Sequence, residues 1–392
     1  MTKTKIAILS ISLLSILMIA GIISILSVLV EVIPGATIAS LKVSISISAI
    51  TCVVFSLLTG YLDQFFTKKA LLYTGLVLYT AGGVGGGLIN SMAGLMVTRA
   101  VLGIGAGICL PLATAFIADF YEGEERKVTI GYSIFSANLA IMILPLVGAW
   151  LARYNWRFGF SIYGIALVVL VLAWLYIPDR PVNKALGESK RKLFYFSRPV
   201  VIAAFLYFIC MVLFMSLASN LSILIKVEML GTPSTAAWIN AVATLVSMLL
   251  SLNFSRIYRL TDKWMLPLGL FTLSLGFAVM GIFSSLWPVI LGHSLISGAL
   301  GLLHPLFPFM ATQSTPREHS TSAMSLVTAG FRLGTFASPF FFLVVNPLVG
   351  VNTIRSEFSL SAVIFCITAA ICVILIIKQQ AAKMVLTPKR NA

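Results

Sequence analysis

The chain has few charged residues. Only 10% of its 392 residues are Asp, Glu, Lys or Arg, whereas 59% are hydrophobic. Soluble globular proteins carry about 25% charged residues, so this chain lacks the polar surface that a soluble enzyme of its length needs. The mean hydropathy of +1.04 also excludes a disordered chain. The composition therefore predicts a polytopic membrane protein.

The sequence also lacks the motifs of ATP-driven pumps and of metalloenzymes. It contains no G-x-x-x-x-G-K-[ST] loop, which excludes primary pumping by this chain alone. It has no H-E-x-x-H or other metal-ligand spacing, no C-x-x-C pair among its five Cys, and no identifiable nucleophile with a base. We therefore expect no cofactor, no metal and no enzymatic activity. An intramembrane enzyme and a channel stay as rival classes, although no pore-loop filter or ring of charges is visible.

Twelve runs of about 20 mostly apolar residues predict membrane-spanning helices. They cover 6–30, 43–62, 70–89, 95–118, 129–151, 158–177, 199–220, 236–255, 265–285, 288–311, 321–345 and 358–378. The first run follows Lys3 and Lys5 and is too long for the apolar region of a cleavable signal peptide. We therefore interpret it as span 1 and expect an all-α fold of twelve helices.

The net charge of +15 fits the excess of Lys and Arg that membrane proteins carry in cytoplasmic loops. With the N-terminus inside, twenty of the 27 Lys and Arg fall in inner segments and five in outer ones. This split predicts a multi-pass protein of the cytoplasmic membrane with both termini in the cytoplasm. It also accounts for the positive charge without a nucleic-acid partner.

The longest connection between spans predicts the domain boundaries. It contains two Pro and the run Lys190-Arg191-Lys192, and it separates six spans from six. We expect its basic residues to face the inner leaflet. The predicted domains are an N-terminal six-helix half, a basic linker, a C-terminal six-helix half and a cytoplasmic tail, at 1–177, 178–198, 199–378 and 379–392.

An internal repeat supports two pseudo-symmetric halves. An offset of 194 residues aligns spans 4 and 5 with spans 10 and 11. The aligned pairs are Gly107 with Gly301, Pro111 with Pro305, Pro145 with Pro339, Arg99 with His293, and Asn138 with Arg332. A duplicated six-span unit implies a central cavity and alternating access by rocking of the halves.

Span 4 carries Arg99 followed by Gly103, Gly105 and Gly107. The small residues indicate close helix packing, and a guanidinium within a span usually faces a cavity or a partner. Here the chain resembles the major facilitator superfamily, in particular its twelve-span drug:proton antiporters, whose span 4 has an Arg followed by spaced glycines. The resemblance implies a monomeric carrier with two six-helix halves, driven by protons and acting on a small molecule.

Two further motifs carry this resemblance. The loop 60–69, GYLDQFFTKK, is similar to the acidic–basic loop motif of the superfamily, although Gln64 and Phe66 depart from it. The resemblance implies a cytoplasmic gate formed by Asp63, Lys68, Lys69, Asp119 and Arg126. The alternative is that the two aspartates are solvated charges at helix ends. In span 5, Leu144–Ala149 resembles the Gly-Pro-x-x-Gly-Gly signature of antiporters, with both outer glycines replaced.

Three residues are candidates for proton coupling. They are Arg99, Glu31 and His293. Glu31 lies near the outer end of span 1, where a carboxyl in an apolar site can titrate near neutral pH; otherwise it is an interfacial residue. Histidine can carry protons, but a packed, hydrogen-bonded histidine is the simpler interpretation of His293.

Four residues are candidates for substrate contact: Arg332, Asn138, Phe331 and His304. A buried Arg within a span needs a counter-charge or an anionic substrate, and Arg332 suits carboxylate or phosphate binding. A structural role, such as binding a helix-end carbonyl, is equally open. Gly82–Gly87 in span 3 indicates helix packing rather than a phosphate site, since the run lies within a span.

The sequence thus predicts a proton-coupled secondary transporter that exports a drug or metabolite by alternating access. The alternative is uptake of a small organic anion by proton symport. Arg332 and the replaced span 5 glycines favour that alternative.

Overall fold

The computed structural model describes residues 3–14, 17–18, 29, 32–34, 36, 38–152, 154–178, 197–231, 233–316, 319–350 and 353–386. Twelve helices in these ranges correspond in order to the predicted spans. They are α1 (Lys3–Ser12), α2 (Ile38–Leu62), α3 (Lys68–Gly85), α4 (Met92–Phe120), α5 (Gly123–Ala152), α6 (Ile165–Tyr176), α7 (Arg198–Val227), α8 (Pro233–Leu252), α9 (Met265–Ile282), α10 (Leu286–Gln313), α11 (Ser320–Val349) and α12 (Ile354–Leu386). A 3₁₀-helix, Trp156–Gly164, leads into α6, and a short helix, Phe254–Thr261, precedes α9.

Eight of the helical segments in the described ranges are long and apolar enough to cross a membrane. The others correspond to α1, α3, α5 and α8. Helix α1 has only ten residues, α3 begins with two Lys, and the apolar part of α8 is restricted to Trp238–Leu252. The helices form two compact units. Unit 1 comprises Met1–Val212 and Phe307–Ser338, and unit 2 comprises Leu213–Leu306 and Pro339–Ala392.

Helix α4 forms the core of unit 1 because its small residues let two helices approach its backbone. A Cβ atom added at Gly107 would lie 2.6 Å from the carbonyl oxygen of Cys52 in α2. One added at Gly105 would lie 2.3 Å from the backbone nitrogen of Tyr79 in α3. Both distances are too short for any side chain, so the interpretation of these glycines as packing residues is confirmed.

Unit 2 contains the same close contact at the position that the repeat predicts. A Cβ atom added at Gly301 of α10 would lie 2.5 Å from the carbonyl oxygen of Ser247 in α8. Gly301 is the residue that the 194-residue offset aligns with Gly107, and α8 corresponds to α2. The aligned glycines therefore make equivalent backbone contacts within their own units.

A second correspondence lies at the start of the last helix of each half. Arg157, just before α6, donates a hydrogen bond of 2.7 Å to the carbonyl oxygen of Gly87, beyond the end of α3. Arg355, at the start of α12, donates one of 2.6 Å to the carbonyl oxygen of Met280 in the last turn of α9. In each case a guanidinium satisfies a carbonyl near a helix C-terminus, where the backbone has no partner of its own.

The glycine run of span 3 yields a packing prediction. A Cβ atom at Gly82 would lie 2.2 Å from the backbone nitrogen of Leu102, whereas one at Gly85 would meet only Thr98 Cγ2 at 3.6 Å. We expect Gly82→Ala to destabilise the protein by about 1–3 kcal/mol, because α4 must move away from α3. Gly85→Ala is the matched control and should leave stability nearly unchanged. Thermal unfolding in detergent measures both, and equal midpoints would contradict close α3–α4 packing.

Candidate functional site

The side chain of Arg99, a residue of α4, reaches the C-terminal end of α3. Its side chain is fully buried, and it donates hydrogen bonds to the Tyr163 hydroxyl at 3.0 Å and to the carbonyl oxygens of Gly82 and Gly83 at 3.4 and 3.3 Å. The last four carbonyls of an α-helix have no partner within the helix and carry its negative dipole end. Arg99 therefore supplies both the missing donors and a compensating charge.

Aromatic rings complete the Arg99 environment. The guanidinium carbon lies 5.3 Å from the ring centre of Phe160 and 5.0 Å from that of Tyr163, which is cation–π distance. Gly86 has no room for a side chain here, since a Cβ atom would lie 2.7 Å from Arg99 Nη2. Within the described ranges no carboxylate forms a salt bridge with Arg99. The structure thus shows a buried helix anchor, and a role of Arg99 in proton coupling stays a prediction.

Four residues of unit 1, which we call the Lys68 cluster, lie at the ends of four helices, α2, α3, α4 and α11: Asp63, Lys68, Asp119 and Ser320. Lys68 Nζ lies 2.7 Å from Asp119 Oδ2, 3.0 Å from Ser320 Oγ and 4.0 Å from Asp63 Oδ2. Ser320 also donates to Asp119 at 3.2 Å. Three of the five predicted gate residues therefore come together, and α11 contributes a partner, Ser320, that the sequence pattern does not reveal.

The Lys68 cluster holds two charges that their own helices do not stabilise. Lys68 is the first residue of α3, where the helix dipole favours an anion, and Asp119 is in the last turn of α4, where it favours a cation. The two side chains are 17% and 7% exposed. Each charge therefore depends on the other, and a gating role of the cluster stays a prediction.

Asp63 is the more weakly attached carboxylate of the Lys68 cluster. Its side chain is 11% exposed. Burial raises the pKa of Asp63 above its usual range, while the charge of Lys68 acts in the opposite direction. Asp63 therefore takes up a proton at a higher pH than an exposed aspartate does.

The other two predicted gate residues contact different groups. Arg126 donates to the carbonyl oxygens of Ala118 and Tyr121 at the end of α4 and to that of Thr312 at the end of α10, at 3.0, 3.0 and 3.1 Å. It thus ties two helix C-termini together. The ammonium group of Lys69 lies 5.7 Å from the ring centre of Tyr73.

Above the Lys68 cluster, hydroxyl groups connect α2 with α11. Ser322 donates to the carbonyl oxygen of Gly60 at 3.0 Å, and Ser56 donates to that of Ser325 at 3.4 Å. Further along the same pair of helices, the Arg332 guanidinium is close enough to the Cys52 thiol for the two to interact electrostatically. We call this line of contacts the α2–α11 seam.

Arg332 and Phe331 are the two predicted substrate contacts that the structure brings together. Arg332 is 3% exposed, and its guanidinium carbon lies 4.9 Å from the ring centre of Phe331. Phe331 in turn packs against Tyr207 with ring centres 5.1 Å apart, and Tyr207 stacks on Phe307 at 4.7 Å. The Arg332 side chain therefore lies between an aromatic group and α2 in unit 1.

The remaining described candidates belong to α5 and α10. Asn138 is half-buried in α5 of unit 1, and His304 is half-buried in α10 of unit 2. His293 is 3% exposed in α10, and its Nδ1 has no hydrogen-bond partner within the described ranges. Glu31 lies outside the described residues. An apolar groove of about 390 Å³ between α8, α9 and α10 is lined by none of these residues.

A buried carboxylate of unit 2 was missed by sequence reasoning. Glu357 in the first turn of α12 is 9% exposed and accepts hydrogen bonds from three side chains. The predicted span began at residue 358, whereas α12 begins at Ile354. A span boundary placed one turn earlier would have put Glu357 within a span, where carboxylates are rare and usually functional.

Comparison with known proteins agrees with this architecture. The profile of the Major Facilitator Superfamily matches residues 8–259 and 203–391. The chain is 31% identical over 120 residues to the multidrug transporter protein MdtP of Bacillus subtilis, covering 29% of this chain and 22% of that protein. It is 26% identical over 135 residues to a galacturonate transporter of Dickeya chrysanthemi, covering 34% and 39%. The matches thus span between about a fifth and two fifths of these relatives.

The fold resembles a solved transporter structure over nearly the whole chain. The proton:xylose symporter XylE, bound to 6-bromo-6-deoxy-D-glucose, superposes with a TM-score of 0.79 at 16% identity, covering 94% of both chains. This likeness confirms the predicted all-α fold of twelve helices in two halves. The chain belongs to the Major Facilitator Superfamily, whose members are membrane transporters and not enzymes.

Proposed function

We propose that this protein is a proton-coupled secondary transporter that exports a small organic molecule by alternating access. The observation that carries the proposal is the Lys68 cluster, in which paired charges with no support from their own helices hold α3, α4 and α11 together. Such a contact can break and reform as a gate. Proton-driven export also agrees with the similarity to MdtP, which is named a multidrug transporter.

The proposed setting is the cytoplasmic membrane, with both termini and the Lys68 cluster on the cytoplasmic side. The distribution of Lys and Arg supports this orientation. The proposed domains are the two six-helix halves 1–177 and 199–378, joined by the basic linker 178–198 and followed by the tail 379–392. We propose that the protein acts as a monomer.

Uptake of a small organic anion by proton symport is the second candidate function. The buried guanidinium of Arg332, 3% exposed within a span, favours it. The similarity to a galacturonate transporter supports it as well. The two functions differ in direction and in the charge of the substrate.

Transport in proteoliposomes with an imposed pH gradient tests the function. Ethidium, as a lipophilic cation, should move against the proton flux, and galacturonate should move with it if the second function holds. We expect Arg99→Ala to abolish gradient-driven movement while the protein stays in the membrane, and Arg259→Ala, an exposed basic residue of the short helix before α9, to transport normally. Normal transport by Arg99→Ala would reduce Arg99 to a structural anchor. If the pH gradient drives the movement of neither ethidium nor galacturonate, both proposed functions are contradicted.

Breaking the Lys68 cluster should open the cytoplasmic side. Asp119→Asn removes a charge-assisted hydrogen bond worth about 1.5 kcal/mol, roughly a tenfold shift in equilibrium. Labelling of Ser322→Cys, a buried reporter position, in a variant without native Cys should therefore become about tenfold faster. Glu124→Gln is the matched control, because Glu124 forms an exposed pair with Lys127 in the same region. Equal labelling of both variants would show that the cluster does not act as a gate.

The same labelling should depend on pH through Asp63. Because its pKa is raised in the folded protein, the attraction between Asp63 and Lys68 is present above that pKa and is lost as the pH falls through it. As the pH is lowered, labelling should therefore become faster at pH values still above about 3.9, the usual aspartate pKa. Asp63→Asn should label fast at every pH, and a retained pH dependence would assign the titration to another group.

Arg332 separates the two substrate classes. If Arg332 binds an anionic substrate, Arg332→Gln should weaken galacturonate binding about ten- to hundredfold, since a charge-assisted hydrogen bond is lost. Binding of galactose, which lacks the carboxylate, should change far less. Ethidium affinity should stay equal or increase once the like charge is removed. Unchanged affinities for all three would contradict substrate contact by Arg332 and favour export of uncharged or amphipathic compounds.

A further inference from the structure

A polar cluster lies within the apolar surroundings of unit 2, close to the start of α12. We call it the Glu357 cluster, and it consists of four residues from three helices: Ser216 and Asn220 of α7, Asn346 of α11 and Glu357 of α12. Ser216 Oγ makes a short hydrogen bond to Glu357 Oε1, and Asn220 Nδ2 donates to the same oxygen at 3.2 Å. Asn346 Nδ2 donates to Glu357 Oε2 at 3.3 Å. The carboxyl group is thus held on both oxygens.

No cation neutralises this carboxyl group within the described ranges. The nearest basic residue in sequence, Arg355, forms a two-pronged salt bridge with Glu228 and donates to the carbonyl oxygens of Met280 and Phe283. Its donors are therefore committed elsewhere. An ionised carboxylate that is 9% exposed and held only by neutral donors carries a large desolvation cost.

The helices that pack around Glu357 carry few other groups that could titrate in its place. Helix α9, which packs against α12, has no acidic, basic, Tyr, Cys or His residue, and the only one in α11 is Arg332, which belongs to unit 1. The outer end of α7 has Lys226, which is exposed, and Glu228 follows it. Glu357 is therefore the group at this position that can take up a proton.

A proton fits on Glu357 without any loss of the observed contacts. A hydroxyl group accepts as well as donates, so Oε1–H can donate to Ser216 Oγ in the short contact already present. Ser216 can then donate to a carbonyl of its own helix, as serine commonly does. Asn220 and Asn346 keep their acceptors.

We infer that Glu357 is a proton-binding site of unit 2 and holds a proton in this arrangement of α7, α11 and α12. The proton is taken up from water and is held between Glu357 Oε1 and Ser216 Oγ. Resting on the proposed function, this proton is the one whose movement drives transport. Glu357 is then the group that carries the proton, and it adds to the predicted coupling candidates Arg99, Glu31 and His293.

Infrared difference spectroscopy of the purified protein in liposomes tests this without a substrate. The wild-type spectrum should show the carbonyl stretch of a protonated, buried carboxyl, which lies apart from the amide bands. Glu357→Gln should lose that band, whereas Glu228→Gln, which removes a salt-bridged carboxylate, should keep it. Identical spectra for the wild type and Glu357→Gln would overturn the inference.

Ser216→Ala keeps the test decisive if Glu357→Gln does not fold. It leaves the carboxyl in place but removes one partner, so the band should shift in frequency, and an unshifted band would again overturn the site.

Gradient-driven ethidium movement in proteoliposomes then separates proton binding by Glu357 from its role in coupling. Loss of coupling in Glu357→Gln, with wild-type coupling intact, supports the coupling role, and retained coupling overturns it. A wild type that ignores the gradient but shows the band contradicts the proposed function and leaves proton binding by Glu357 standing.

Discussion

Every charge that these helices bury must be neutralised by other groups of the same chain, because the lipid phase offers neither water nor ions. Arg99 is fully buried and meets this constraint with the carbonyls at the end of α3 and the Tyr163 hydroxyl. Lys68 and Asp119 meet it with each other. Glu357 meets it only with neutral donors, which is why its charge state matters most.

Backbone-level packing makes these arrangements possible. The glycines of α3 and α4 bring the end of α3 within reach of the Arg99 side chain, and a side chain at Gly86 would displace it. The equivalent glycine of α10 approaches the backbone of α8 similarly closely. Close helix packing and charge neutralisation therefore depend on the same glycines. A buried guanidinium can reach the backbone carbonyls only where no side chain lies between them.

The helices and their close contacts were largely predictable from sequence, because apolar length and the spacing of small residues can be read within one segment of the chain. The spans followed from apolar length, and Gly105 and Gly107 followed from their spacing in an apolar run. The pairing of Lys68 with Asp119 followed from the family motif. The contribution of Ser320 did not, since a serine near a loop carries no distinctive pattern. Glu357 was missed because helix ends are uncertain by a few residues from sequence alone. A shift of one turn in the predicted start of the last span determines whether Glu357 lies within it.

The α2–α11 seam differs in kind from the contacts of α4, because it is made of serine hydroxyls donating to carbonyls of the facing helix. A glycine contact between backbones has no alternative partner and holds helices as one body. A serine hydroxyl released from a neighbouring helix can instead turn back to a carbonyl three or four residues earlier in its own helix. Separation along this seam therefore exchanges hydrogen bonds rather than losing them. Separating α2 from α11 therefore costs little enthalpy, whereas α2, α3 and α4 stay packed as one body.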